Sequence, residues 1–285
     1  MCILQQAFLS HDLTSVKKYG ASGHISVYNL STALDHNIWI QTGPPDHISI
    51  IAAGWRVDPG LNGDGVTRSF SDWTSAIGNR EMVSAMVAST HYAEVNRALT
   101  PSHPITPVSR YGGPIYEIRI EVSQVTSVSF LREINNHSAN ENLNVILMIE
   151  PPLLSLSMSS QELTGNWWLR VHDPPISVGY WPKELFVNFR KGSLHAAWGG
   201  VAKEGTAGYC PPMGNGQMPD ADTRKAAYLR NVRWVNAKRE SLPPGGRIAE
   251  VVDTPGCYGV LDEKLKPDPW GYGFSFGGPG GYCRS

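Results

Sequence analysis

Short alternations of apolar and polar residues run through most of the chain. The clearest is PIYEIRIEV, residues 114–122, in which Ile118, Ile120 and Val122 alternate with charged residues. Such a period of two predicts a strand with one face on a core and the other toward water. HISVYNL and NIWIQTG, residues 24–30 and 37–43, alternate as well. The polar residues between them predict that these two strands form a hairpin.

The rest of the chain adds further segments of this kind, separated by glycine, proline and asparagine. In order they are ISIIAAGWRV from residue 48, FSDWTS from 70, WWLRV from 167, VGYWP from 178, AAWGGVA from 196, AAYLRNVRWV from 226 and YGFSFGG from 272. KELFVNFRKG, residues 183–192, has a spacing that predicts a helical turn or two. Many short strands joined by tight turns predict an all-β fold, an antiparallel β-sandwich of two bent sheets.

A single domain over residues 15–285 accounts for this pattern, with one interruption. Residues 125–161 contain no glycine and a single Phe, Tyr or Trp residue, Phe130, whereas these residue types punctuate the rest of the chain, and they show no clear period. The segment is too short, and too polar at its start, to hold a core of its own. We therefore expect an insertion within the domain that is loop-like or disordered.

Composition agrees with this fold class and narrows the range of partners. The 285 residues include 29 Gly, 21 Pro and 9 Trp, which suit tight turns and short strands. With 24 Lys and Arg against 25 Asp and Glu, the net charge of −1 gives no electrostatic basis for binding nucleic acid or an anionic membrane. No apolar run reaches the roughly 18 residues of a membrane helix. The sequence contains no CxxC or HExxH motif, so neither a metal nor another cofactor is expected. We expect the protein to be a monomer.

Several motifs, most of which contain tryptophan or paired glycines, point to a known family. In chain order they are AGWRVDPGLNGDG, ITPVSRYGGPIYEIRI, TGNWWLRV, VGYWPKELF, AWGG, MGNGQMPD, KAAYLRN and FSFGGPGG. Over roughly residues 20–124 and 163–285 the chain resembles the neprosin family of plant proteins. The resemblance implies a β-sandwich, secretion behind a signal peptide and activation domain, and cleavage of peptides after proline by two glutamates. The chain as written shows no signal peptide, and residues 75–99 and 125–161 have no counterpart in the family pattern.

Two alanines occupy the positions that matter most for that chemistry. In the family's motifs one glutamate stands two residues before Gly-Trp, and the other stands directly before Trp-Gly-Gly. Counted onto this chain, those positions are Ala52 and Ala197. The resemblance therefore implies a pseudopeptidase whose cleft, with Trp55, His195 and Trp198 as groove residues, would bind a peptide or a cell-wall glycan. The alternative is an active proline-directed endopeptidase with displaced catalytic residues.

Other residues are candidates for a replacement catalyst. His195 precedes Ala197 by two residues and so shares its strand face. Glu117 and Glu121 also share a face, but Arg119 stands between them, and a charged surface explains all three better than a catalytic pair does.

Two further motifs have simpler readings. Ser275 lies in a G-x-S-x-G motif, yet the residues after it supply no histidine for a hydrolase triad. Trp167 and Trp168 must point to opposite faces of their strand, so one is expected in the core, and the other is a candidate sugar platform.

The four cysteines are Cys2, Cys210, Cys257 and Cys283. The resemblance implies a disulfide between Cys257 and Cys283, because CYGV and GGPGGYC occupy the two corresponding family positions. Cys2 and Cys210 are then expected to be unpaired.

Overall fold

The computed structural model of the chain describes residues 4–11, 16–30, 34–43, 48–74, 93–94, 100–126, 164–203, 205, 208–245 and 248–282. Strands dominate these residues and form two antiparallel sheets that stack face to face. The predicted all-β sandwich is confirmed.

The elements follow one another as many short strands with very little helix. In chain order the strands are β1 (Leu4–His11), β2 (Gly20–Ser26), β3 (Leu34–Thr42), β4 (Ser49–Val57), β5 (Arg68–Thr74), β6 (Ala93–Glu94), β7 (Glu117–Thr126), β8 (Thr164–Val171), β9 (Ile176–Trp181), β10 (His195–Lys203), β11 (Tyr209–Cys210), β12 (Ala227–Val235), β13 (Ser241–Leu242), β14 (Ala249–Val252), β15 (Gly259–Lys266), β16 (Gly271–Gly277) and β17 (Gly281–Tyr282). A short helix, α1 (Pro59–Asn62), follows β4. Two 3₁₀ turns, Lys183–Leu185 and Val187–Phe189, lie where helical turns were predicted.

The strands divide into two sheets, which we call the front sheet and the back sheet. The front sheet has the order β14–β1–β10–β3–β4–β5. The back sheet has the order β15–β16–β12–β2–β7–β8–β9–β6, and β13 pairs with β12. A separate two-stranded ribbon joins β11 and β17.

Side chains that alternate along the front-sheet strands fill the space between the sheets. On β4 the inward residues are Ile51, Ala53, Trp55 and Val57, all buried. Across the core, Ile118, Ile120 and Val122 point inward from β7, as their alternation predicted. The burial of both sets fixes the register of each sheet, because a slip of one residue would turn every apolar side chain outward.

Two indoles tie the front sheet to β2 of the back sheet. The Nε1–H of Trp55 donates to the Ser26 carbonyl oxygen at 3.1 Å, and that of Trp198 donates to the Ser22 carbonyl oxygen at 3.0 Å. Both rings are fully buried. A buried indole N–H needs an acceptor, so these bonds fix the distance between the sheets as well as filling the core.

A buried histidine packs beside Trp55. His36 has no exposed surface, and its ring centroid lies 4.0 Å from that of Trp55. The backbone N–H of Gly214 donates to His36 Nε2 at 2.9 Å, which requires the neutral imidazole, with its proton on Nδ1. Burial lowers the pKa of His36 to about 3.

The predicted hairpin between residues 24–30 and 37–43 is wrong. The first segment contributes to β2 in the back sheet, and the second contributes to β3 in the front sheet. Each strand buries one face. Alternation of this kind is expected both for two strands that pair within one sheet and for two strands that face each other across the core.

The predicted start of the domain at residue 15 is also corrected. β1 lies between β10 and β14 in the front sheet, with Ala7 and Leu9 fully buried. The segment before residue 15 is therefore a structural strand.

The predicted insertion at 125–161 lies almost wholly outside the described residues. Val125 and Thr126, at its start, complete β7. Thr126 pairs directly with Thr164, the first residue of β8. The two ends of the segment therefore meet at one end of an antiparallel strand pair. Residues 75–99, which also have no counterpart in the family pattern by sequence, lie outside the described residues apart from 93–94.

Candidate functional site on the outer face of the front sheet

The two alanines that motif counting singles out lie in one row of the front sheet. Trp39 of β3 pairs with Ala52 of β4 on one side and with Ala197 of β10 on the other. Their strand neighbours Ala53 and Trp198 point into the core, so all three side chains of the row point away from it. Positions that are far apart in sequence thus meet on a single surface, the outer face of the front sheet.

Trp39 fills the space between the two alanines. It retains 9% of its exposure and packs edge to face against Phe8, with ring centroids 4.8 Å apart. In the next row Asn37 stands between Gly54 and Gly199. Its side-chain oxygen is buried and has no hydrogen-bond partner. Trp39 and Asn37 lie outside the motifs around the alanines, so the sequence patterns do not point to them.

The predicted groove residues separate into two groups. Trp55 and Trp198 are corrected, because both point inward and are fully buried in the core. Each follows a Gly or Ala whose side chain would face outward, so alternation places the large ring on the opposite side. His195 begins β10 on the same face as Ala197 and is half-buried. It pairs with Gln41, which in turn pairs with Ile50, so a half-buried strip His195–Gln41–Ile50 runs beside the alanine row.

An ion cluster occupies the β5 side of the same face. Arg56 donates to Asp35 through Nε at 3.0 Å and through Nη2 at 3.2 Å, and its Nη2 also donates to Asp72. Asp72 pairs directly with Ala52 across β4 and β5. The guanidinium lies 3.9 Å from the ring centroid of Phe70. Two carboxylates thus stand close to the alanine row, and both accept hydrogen bonds from one arginine.

The environment of this cluster shifts the protonation of its members. Burial raises the pKa of Asp35 to about 6, although Arg56 lowers it, and the neighbouring charge of Asp72 adds to the rise. Burial disfavours the charge on Arg56, but Asp35 and Asp72 outweigh it and raise the arginine pKa. The arginine therefore stays charged, while Asp35 titrates in mildly acidic solution.

The back sheet contains the two glutamates that were weighed as a catalytic pair. Glu117 accepts hydrogen bonds from Arg230 and from the Tyr228 hydroxyl. Glu121 accepts from Arg119 at 2.6 Å and from Ser123 at 2.7 Å. Burial raises the pKa of each carboxyl, but these partners outweigh it and leave both pKa values lowered. The two glutamates are ionised members of separate ion pairs, in agreement with the charged-surface interpretation.

The remaining aromatic and serine candidates are structural. Trp167 is fully buried, and Trp168 keeps only 1% of its exposure beneath Tyr180, whose ring centroid lies 4.8 Å away. Neither is a sugar platform. Ser275 has no exposed surface, which agrees with its rejection as a nucleophile.

The predicted disulfide between Cys257 and Cys283 is wrong. Cys257 is a free, buried thiol whose Sγ lies 3.7 Å from the Tyr282 carbonyl oxygen. Cys210, which was expected to be unpaired, is disulfide-bonded. Cys2 and Cys283 lie outside the described residues. Cys210 pairs with Gly281 in the β11–β17 ribbon, and the Cys257 sulfur also lies beside Gly281. Both cysteines are therefore near the C-terminal strand, and sequence position alone does not show which of them forms a disulfide.

Two further observations concern cofactors and membranes. Among the residues that the structure describes, no group of three or more His, Cys, Asp or Glu side chains is arranged to hold a metal ion. Within the same residues, no helix has the length and apolar character needed to cross a membrane.

Fold and site together define a class of protein: an antiparallel β-sandwich whose front sheet presents two in-register alanines on its outer face. The family model Neprosin matches residues 34–279. The match spans most of the chain, and the chain belongs to the Neprosin family. The resemblance drawn from the tryptophan and glycine motifs is confirmed.

Proposed function

We propose that this chain is a non-catalytic member of the Neprosin family that binds an extended peptide on the outer face of its front sheet. The observation that carries the proposal is the row Ala52–Trp39–Ala197. Motif counting identified the two alanines independently of any structure. Their common face and common register are what two residues that share one catalytic water require.

The chemistry of the row argues against hydrolysis. A carboxylate pair cleaves a peptide when one member is ionised and activates water, while the other is protonated and donates to the leaving amine. The methyl groups of Ala52 and Ala197 can do neither. Each missing acid or base typically costs about 10²- to 10⁴-fold in rate.

The strip beside the row suggests how a ligand would be held. His195, Gln41 and Ile50 are half-buried and offer an imidazole, an amide and an apolar side chain in successive strands. Ala52, also half-buried, leaves room for a chain to approach the sheet. This combination of polar groups and a smooth apolar surface suits an extended peptide, and a proline-rich peptide is the preferred candidate because it is already extended when free. A cell-wall glycan is the alternative ligand.

A second function, an active endopeptidase with displaced carboxylates, is favoured by one observation. Asp72 is the direct cross-strand neighbour of Ala52, and the pKa of Asp35, about 6, leaves part of that carboxyl protonated in acid. Against it, both carboxylates accept hydrogen bonds from Arg56. Hydrogen bonds to one arginine direct both carboxylates toward Arg56 rather than toward a water shared between them.

One assay separates these functions. The full chain is incubated with a quenched proline-containing peptide across about pH 2 to 6, the range in which a carboxylate pair works. We expect no turnover by the unmodified chain or by either single variant, Ala52→Glu or Ala197→Glu. The double variant is the minimum change that can restore turnover, because the two groups act as a unit. Turnover by the unmodified chain that disappears in Asp72→Asn or Asp35→Asn would establish the displaced-carboxylate enzyme instead.

Binding is measured separately on the unmodified chain by calorimetry. A proline-rich peptide and a cell-wall oligosaccharide are titrated in parallel. We expect saturable binding of the peptide that weakens in Gln41→Ala and His195→Ala. Binding of the oligosaccharide alone would replace the peptide with a glycan, and binding of neither would remove the proposed ligand.

A further inference from the structure

A cavity of about 210 Å³ lies inside the sandwich, away from the alanine row. Its walls come from β4 and β5 of the front sheet and from β7, β8 and β9 of the back sheet. The volume exceeds the roughly 150 Å³ of an engineered apolar cavity that binds benzene. The space is therefore large enough for one ring with a small substituent.

The interior walls of the cavity are mostly aliphatic, and Phe70 also contributes to the lining. Ile118, Ile120, Leu169, Val171 and Val178 line it from the back sheet, and all five are buried. Ala53 faces them from the front sheet. A site with such walls disfavours a charged group, because nothing there would replace the hydrogen bonds that the group makes in water.

The cavity exists because β4 has a small side chain, Ala53, between two large ones. Ile51 and Trp55 project from the same strand face as Ala53 and fill the core on either side of it. The size of the residue at position 53 therefore controls how much of the space stays open.

One end of the cavity is polar and reaches the surface. Residues 100–106 run along the edge of β5, where the Ser102 N–H donates to the Ser69 carbonyl oxygen at 2.7 Å and the Ser69 N–H donates to the His103 carbonyl oxygen at 2.9 Å. His103, Thr106 and His172 contribute to the lining and are exposed. The cavity thus combines an apolar interior with hydrogen-bonding groups at its rim.

We infer that this cavity binds a small neutral molecule with a single aromatic ring and one hydroxyl group. The ring lies between Ala53 and the aliphatic side chains of β7, β8 and β9, and the hydroxyl group lies at the rim with His103 and His172. This site is independent of the peptide surface proposed above, since it lies within the sandwich and the alanine row lies on the opposite face of β4.

The test uses p-cresol as the probe and p-hydroxybenzoate, which has a charged carboxylate in place of the methyl group, as the matched ligand. Calorimetry and thermal unfolding are measured on the full chain. We expect saturable binding of p-cresol and a rise in unfolding temperature, because a ligand that binds only the folded state stabilises it. The carboxylate should have no such effect.

Two variants locate the site. Ala53→Leu places a larger apolar side chain in the cavity and should weaken p-cresol binding about tenfold or more. Ala249→Leu makes the same change at an exposed position of β14 and should leave binding unchanged. Ile120→Ala enlarges the cavity and should shift the preference from p-cresol toward 2-naphthol. No saturable p-cresol binding to the unmodified chain, or equal affinity in folded Ala53→Leu, would overturn the inference. Should Ala53→Leu fail to fold, an unchanged preference in Ile120→Ala would overturn it.

Discussion

At the scale of single residues, the proposed function depends on two side chains on the outer face of the front sheet. Ala52 and Ala197 keep the backbone positions and the outward direction that a carboxylate pair would need. What they lack is the carboxyl group itself. Asp72 and Asp35 belong to the same face of the sheet, but both accept hydrogen bonds from Arg56. The side chains, and not the sheet, decide the chemistry.

His36 gives a prediction about acid stability. Its folded pKa of about 3 lies below the ordinary value of 6.5, because burial disfavours the charged ring. Between these values the unfolded chain binds a proton that the folded chain does not. The contribution of the neutral His36 ring to the free energy of unfolding is therefore fully present above about pH 6.5, and it is lost as the pH falls toward 3.

We expect His36→Gln to reduce the slope of unfolding free energy against pH by up to about 1.4 kcal/mol per pH unit in this window. Urea unfolding at several pH values between about 4 and 7 measures the slope. The exposed His103→Gln is the control and should leave it unchanged. Equal slopes in the unmodified chain and His36→Gln would show that the buried ring does not contribute.

At the scale of elements, the pairing of β7 with β8 leads to a prediction about the segment that was predicted to be an insertion. Thr126 and Thr164 pair directly, so two residues suffice to connect the strands. Replacing residues 127–163 by Asn-Gly, which forms the tight turn that antiparallel strands favour, should leave a single cooperative unfolding transition. Thermal unfolding followed by circular dichroism measures this.

The control for that experiment keeps the length and removes the sequence. A Gly/Ser linker as long as residues 127–163 should also give a folded protein, with a midpoint no higher than that of the Asn-Gly variant, because a longer loop costs more closure entropy. Loss of cooperative unfolding in both variants would mean that the segment's own sequence is needed for the fold.

The elements also show what the sequence could predict. Alternation identified the strand that contains Ile118 and Ile120 together with its buried face, because burial on one side imposes a period of two. Pairing was harder, since the segments of β2 and β3 have the same kind of pattern whether they pair or face each other across the core. β1 was missed because its residues do not alternate clearly between apolar and polar: Gln5 and Gln6 are adjacent, and Ala7, Phe8 and Leu9 follow as an apolar run.

The site was predicted in part for a related reason. Motif counting selected Ala52 and Ala197, and the register of β3 with β4 and β10 brings these two positions into one row. It failed for Trp55 and Trp198, because proximity in sequence says nothing about direction, and adjacent residues of a strand point to opposite faces. Asp35, Arg56 and Asp72 were missed, since the contact between three strands becomes visible only when their register is known.

At the scale of the whole molecule, the chain uses its first strand to complete the front sheet. β1 pairs with β10 along its length and with β14 on its other side. A protein of residues 15–285 would expose the edge of β10 and leave β14 without this neighbour. We expect it to unfold at a lower temperature than the full chain and to associate, since an uncovered strand edge can pair with another copy.

Thermal unfolding and light scattering on a sizing column measure both effects. Leu9→Ala should reproduce part of the loss, about 2 to 5 kcal/mol, because Leu9 is fully buried. Ser10→Ala changes the adjacent, outward-facing residue and should be close to neutral. A shortened protein that is monodisperse and unfolds at the original temperature would show that β1 contributes nothing to the sheet.

The in-register row has an evolutionary consequence. Main-chain hydrogen bonds of β10, β3 and β4 hold positions 52 and 197 two strand spacings apart, about 10 Å, whatever side chains stand there. In the non-catalytic protein proposed above, selection for folding alone therefore preserves the spacing on which an acid pair depends. Alanine and glutamate codons can differ by a single base, so one point mutation can exchange alanine and glutamate at either position. A carboxylate pair and an alanine pair at these positions are therefore both compatible with the same folded sheet.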